Sequence, residues 1–114
     1  MAYIKNLQQA KVLDLKKEVP VEEEQILSKT LVQREDLGVT IFSLDTDEEI
    51  PVHTAPGDAM VNVLSGEALI TIAEQEYLVK AGETIVMPAN IPHALYAKKA
   101  FQMLLVVVKP EVDK

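Results

Sequence analysis

A chain of 114 residues, 48% of them hydrophobic, suffices for one compact domain with one core, and no apolar run nears a bilayer span. Eighteen acidic against eleven basic residues give a net charge of −7, which argues against the basic stripe that nucleic-acid binding requires. With no cysteine, disulfides, thiolate catalysis and cysteine-ligated zinc are excluded; with no basic-then-apolar start, the expected location is cytoplasmic.

Residues 1–25 form an expected N-terminal arm that packs on the body or on a second subunit. Residues 5–17 hold some helix formers, yet Val12, Leu13, Asp14 and Leu15 also read as a strand, and Pro20 breaks whatever precedes it. Strand signals follow at Ile26–Gln33, 39–44, 60–64, 68–72, 77–79, Thr84–Met87, 94–97 and 101–108. These runs are short, rich in β-branched residues or alternating in polarity. Turn formers separate them: Asp36-Leu37-Gly38, Ser65-Gly66-Glu67, Lys80-Ala81-Gly82-Glu83 and Pro88-Ala89-Asn90. Such spacing predicts an all-β sandwich or barrel over residues 26–110, and no βαβ alternation supports a parallel sheet. Leu104 to Val108 is apolar throughout and is expected to be buried on both faces. Residues 111–114 form a polar tail. The acidic runs Glu22-Glu23-Glu24 and Asp45, Asp47, Glu48, Glu49 read as solvated loops, because a calcium loop needs a glycine turn and regularly spaced oxygens.

Both histidines, His53 and His93, lie within residues 50–97, each beside a strand-like run. Gly66 stands thirteen positions after His53, and Gly82, Pro88 and His93 follow at regular spacing. This pattern resembles the cupin superfamily of small jelly-roll barrels, of the conserved-barrel type. The first family motif runs glycine, His-x-His, glutamate, glycine; here His53 and Gly66 match, Asp47 replaces the first glycine, Ala55 the second histidine and Ala59 the glutamate. In the second motif Gly82, Pro88 and His93 match, Asn90 replaces a glycine and Ala97 the closing asparagine. Asn90 is a mild departure, since asparagine tolerates the left-handed conformation.

The resemblance implies a double-stranded β-helix, a jelly-roll β-barrel with a pocket at its mouth. It places His53, Ala55, Ala59, Val61 and Val63 on the inner face, with His93 reaching in from the opposite strand, and these six form the expected ligand-binding lining. His53 and His93 are the candidate metal ligands. Two imidazoles fall short of the three protein ligands of a catalytic metal site, so a metal-free pocket is favoured and a divalent metal is the alternative. A third ligand would come from Asp58, which alternation turns away from the cavity, or from Asn62, Glu67 or Gln102. Tyr96 would be the acid in an acid–base mechanism, though it faces away from His93 on a regular strand. Met60, Met87 and Met103 fill core gaps, Met87 with access to the cavity.

Three functions compete. A small-molecule binding protein ranks first, a metal-dependent oxygenase or isomerase second, and a non-catalytic dimeric scaffold third. The resemblance also implies a homodimer, with no nucleic-acid or membrane partner.

Overall fold

The computed structural model describes residues 2–111, so Met1 and residues 112–114, most of the expected tail, lie outside it. One short helix and seven strands make up the described chain: α1 (Leu15–Glu18), β1 (Ile26–Gln33), β2 (Leu37–Leu44), β3 (Glu49–His53), β4 (Asp58–Ile72), β5 (Gln75–Lys80), β6 (Thr84–Met87) and β7 (His93–Val108). All pairings are antiparallel.

The two long strands, β4 and β7, pair with each other along nearly their whole length and carry the fold. The register shifts repeatedly between Val63 and Ala68, and there the ladder bends. On one side of the bend, β1, β2, the second half of β7, the first half of β4 and β6 form one layer. On the other, β3, the first half of β7, the second half of β4 and β5 form the facing layer. The bulges also reset the alternation. Ala59, Val61 and Val63 point inward before them, and Ala68 and Ile70 after them. Gly66 sits on the fold line at φ +77°, a left-handed conformation that a side chain resists.

The sequence signals at 60–64 and 68–72 are therefore halves of one strand, as are those at 94–97 and 101–108. A hydrophobic pattern shows each straight run but not the pairing that continues through a bulge. β3 gave no strand signal, because two prolines and the acidic turn before it look like a loop.

Two apolar clusters result. The larger fills the space between the layers and centres on Phe101, Leu44, Ile70, Met103 and Val61. The smaller lies outside the barrel, where Leu7, Leu15 and Val19 of the arm cover Leu27, Leu31, Ile41 and Leu104. Hydrogen bonds fasten the arm to its own barrel. The Lys5 amide donates to the Leu31 carbonyl (2.8 Å), and Gln102 Nε2 donates to the carbonyls of Lys16 (2.6 Å) and Val19 (2.9 Å). Residues 12–15 form no strand; Asp14 instead caps α1 by accepting from the Lys16 amide at 3.1 Å.

Leu104 to Val107 are half-buried and Val108 is exposed, against the expectation that both faces of this run are covered. The arm reaches over Leu104 but leaves the outer face further along β7 open.

Candidate functional site

The site is built where β3 ends and β7 begins. His53 and His93 are cross-strand partners, and His93 also faces Ile72 across β4. The two histidines thus sit side by side on neighbouring strands, not across the barrel as the motif suggested. Pairing by register sets them directly opposite one another, where cross-strand side chains meet.

Two loops frame the pair. The Asn90 amide donates to the Ala55 carbonyl at 2.8 Å, with Asn90 at φ +63° in the position the family fills with glycine. The Ala89 amide donates to Asp58 Oδ1, also at 2.8 Å. The segment around Pro88 to Ile91 is thereby clamped to the segment around Ala55 to Asp58, which fixes the Ile91 carbonyl beneath His93.

His93 Nδ1 lies 3.1 Å from that carbonyl, and His53 Nδ1 lies 2.9 Å from the Pro51 carbonyl. A carbonyl oxygen only accepts, so each ring makes its bond when it carries its proton on Nδ1, and two neutral rings have two such protons for three contacts. The two Nε2 atoms then face one another 3.0 Å apart, with the rings edge to face at 72°. In neutral rings these are opposed lone pairs, and a proton, a cation or a donating ligand relieves them. His53 is exposed, while His93 is only 3% exposed. Burial holds the His93 imidazole below its ordinary titration range, offset in part by the Ile91 carbonyl and reinforced by the nearby His53.

That depression has a measurable consequence. Below the ordinary histidine value of about 6.5, the unfolded chain takes up a proton that folded His93 resists. The stabilisation due to this residue is complete above that value and is lost as the pH falls toward the folded value. Melting temperature is expected to drop from pH 7.5 to pH 5.5, and His93→Gln to flatten the slope; an equal slope in the two proteins would contradict the burial effect.

Behind the pair lies a cavity of about 260 Å³, lined by Ile26, Phe42, Ile50, His53, Ala55, Ala59, Met87, His93, Leu95, Met103, Leu105 and Val107. Four of the six expected lining residues, His53, Ala55, Ala59 and His93, are among them. Val61 and Val63 face inward as alternation predicts, but they are packed deeper in the core and do not line the cavity. The remaining lining comes from strands outside the motifs. The odd positions 103, 105 and 107 of β7 share the inward phase of Phe101, and this alternation is the signal that identifies them.

Among the described residues, none of the expected third metal ligands is free to join the pair. Asp58 is engaged by the Ala89 amide, Asn62 bonds the Leu104 carbonyl and the Thr84 hydroxyl, Glu67 pairs with Lys99 at 3.2 Å, and Gln102 holds the arm. Among the described residues no group of three His, Cys, Asp or Glu side chains converges. A separation of 3.0 Å between Nε2 atoms does match the span of two metal–nitrogen bonds of about 2.1 Å at right angles. The rest of the lining is hydrocarbon and thioether, with no carboxylate or further imidazole, so these residues do not fit a catalytic metal, and no chemistry is routed through one.

Tyr96 points outward. Its hydroxyl donates to the Asp47 carboxylate, and that bond pushes its titration above the ordinary tyrosine range. Asp47 takes φ +71°, the left-handed conformation at the place where the family has glycine. Asp45 accepts the backbone amides of Glu24 and Thr46 at 2.8 Å each, which lowers its titration. The acidic run around residues 45–49 thus orders turns.

Among the described residues no helix is long and apolar enough to cross a membrane. No curated protein matches the chain. Among solved structures, a conserved protein of unknown function from Streptococcus pyogenes is 65% identical, with 98% of each chain covered and a TM-score of 0.97. A cupin superfamily protein from Desulfitobacterium hafniense is 30% identical over 96% of this chain and 100% of its own, with a TM-score of 0.91. A cupin 2 conserved barrel domain protein from Leptotrichia buccalis is 44% identical over 85% of this chain and 47% of its own, with a TM-score of 0.83. The family model for the cupin domain matches residues 40–109, from the middle of β2 to just past β7. With the bent β4–β7 ladder, the paired histidines and this match over more than half its length, the chain belongs to the cupin domain family.

Proposed function

We propose that this cupin is a small-molecule binding protein that holds an apolar ligand in its barrel. The observation that carries the reading is the cavity of about 260 Å³, in which ten of twelve lining residues are apolar and only His53 and His93 can make a side-chain hydrogen bond. Alanine at positions 55 and 59 leaves open the volume that metal ligands occupy in the family motif. A pocket that is mostly apolar with few placed polar groups is the usual form of a ligand site. In a thermal-shift panel of aromatic and branched aliphatic compounds, sugars and organic acids, only apolar compounds are expected to raise the melting temperature. A panel in which sugars alone stabilise the protein would overturn the reading.

The protein acts as a homodimer in this proposal. Met60 is 37%, Val86 49% and Val108 56% exposed, and the first two are cross-strand partners on the outer face. On the arm, Tyr3 is 91% and Val12 98% exposed. A second copy covers these exposed apolar side chains, since large apolar surface left open marks an interface. Sedimentation is expected to give a dimer at micromolar concentration, and Val86→Glu to shift it toward monomer. A wild-type monomer would remove the dimer from the proposal.

A further inference from the structure

The polar end of the cavity is chemically lopsided. Both Nδ1 atoms are committed to carbonyl oxygens, at 2.9 Å for His53 and 3.1 Å for His93. Each Nε2 of a neutral ring is therefore a bare acceptor, and the two converge to 3.0 Å. Every other lining side chain is a hydrocarbon or a thioether. No lysine or arginine lines the cavity, and the chain as a whole carries a net charge of −7.

From this we infer that the ligand is an apolar molecule with a single head group that donates hydrogen bonds, and that a primary amine fits best. The inference rests on the reading of the barrel as a small-molecule site and specifies its ligand class. An ammonium has three donors and no acceptor, so it satisfies both Nε2 lone pairs at once. A shared proton would also join the two rings, but it uses one ring as donor to the other and leaves the pair itself charged. A hydroxyl has one proton to give and serves one ring. A carboxylate has none, and it meets two lone pairs in a cavity without a countercharge. The acidic surface adds to the preference by drawing cations toward the protein.

Position and size define the rest of the molecule. His53 is exposed and His93 is buried, so the head lies at the rim, partly in water, where an ammonium keeps some hydration. The body runs inward past Ala59 and Leu105 toward Met103. A dry cavity of about 150 Å³ takes a benzene ring, so one of 260 Å³ takes a body of about ten heavy atoms. Sugars, phosphate esters and dicarboxylates are excluded, because each brings polar groups to walls that cannot pair them.

The test is a matched series with one body and four heads: 3-phenylpropylamine, 3-phenylpropanol, butylbenzene and 3-phenylpropionate. Binding to the full-length protein at pH 7.5 is followed by calorimetry and by methyl NMR shifts of Met87, Met103 and Leu105. The amine is expected to bind roughly tenfold or more tighter than butylbenzene, the alcohol in between, and the carboxylate weakest. His53→Leu, at an exposed position, is expected to keep the fold and to reduce the amine's advantage over butylbenzene, both measured on the variant, to less than about threefold. If the compounds bind but the carboxylate equals or exceeds the amine, the head-group inference fails and the small-molecule reading survives. An amine advantage that persists in His53→Leu also overturns the inference. If none of the four shifts the cavity methyls, both fall together.

Discussion

Gly66→Ala is expected to cost about 4 kcal/mol, a large part of the roughly 5–15 kcal/mol that holds a domain of this size. Two effects add. At φ +77° an alanine takes a left-handed backbone, which costs about 1–2 kcal/mol. Its Cβ would also collide with the Ala100 carbonyl oxygen and stand 2.8 Å from the Phe101 Cα. Those are backbone atoms of β7, so relief requires β7 to move away from β4 at the line where both strands bend. Such overpacking costs typically another 1–3 kcal/mol. Gly82 is the internal control. It takes φ +86°, but a Cβ there meets nothing within 4 Å, so Gly82→Ala pays only the backbone strain, about 1–2 kcal/mol. Urea unfolding of the two variants by circular dichroism separates the effects. Equal losses would mean that the close crossing of β4 and β7 does not hold the barrel together.

That crossing also explains what could be read from the sequence and what could not. Alternation and turn formers located β1 and β6 to the residue, because each is a single run bounded by loops, even though the β1 register shifts between Thr30 and Val32. They could not show that β4 and β7 are continuous. The phase of Val61 and Val63 and that of Ala68 and Ile70 differ by the residues absorbed in the bulges, which in sequence looks the same as a break between strands. The cover supplied by the arm was hidden for another reason: Ile41, Ser43 and Gln102 are buried on the outer face by a segment distant in sequence. At the site, the motif spacing singled out His53, Ala55, Ala59 and His93, all of which the fold brings to one cavity. Their order around it was not legible. A motif gives the residues' positions along the strands but not which strands are neighbours, so the side-by-side register of His53 and His93 came only with the fold. Val61 and Val63 show the same limit in depth. Alternation assigns a face, and the curvature of the barrel decides how far down that face the cavity extends.

The emptiness of the metal motif can be reversed. Ala55→His together with Ala59→Glu restores the two donors that the family pattern places there, at positions that already line the cavity with His53 and His93. The existing imidazoles have their Nε2 atoms 3.0 Å apart, the span of adjacent ligands on one metal, and their Nδ1 atoms already bonded to carbonyls. Wild-type protein purified without chelator is expected to hold well under one equivalent of Mn, Fe, Ni, Cu or Zn. The double variant is expected to hold close to one, with affinity raised by about two orders of magnitude or more, because a site with four donors replaces one with two. A second readout is independent of metal content. Ala59 is buried, so a glutamate there without a partner destabilises the barrel. Chelation is therefore expected to lower the melting temperature of the double variant and leave the wild type unmoved. The added side chains also take up the cavity, so apolar ligands should bind the variant more weakly, which ties metal capacity and ligand capacity to the same two alanines. A stoichiometric metal in the wild type, lost in His53→Ala, would show that a donor outside the described lining completes the shell and would return this barrel to the metal-dependent cupins.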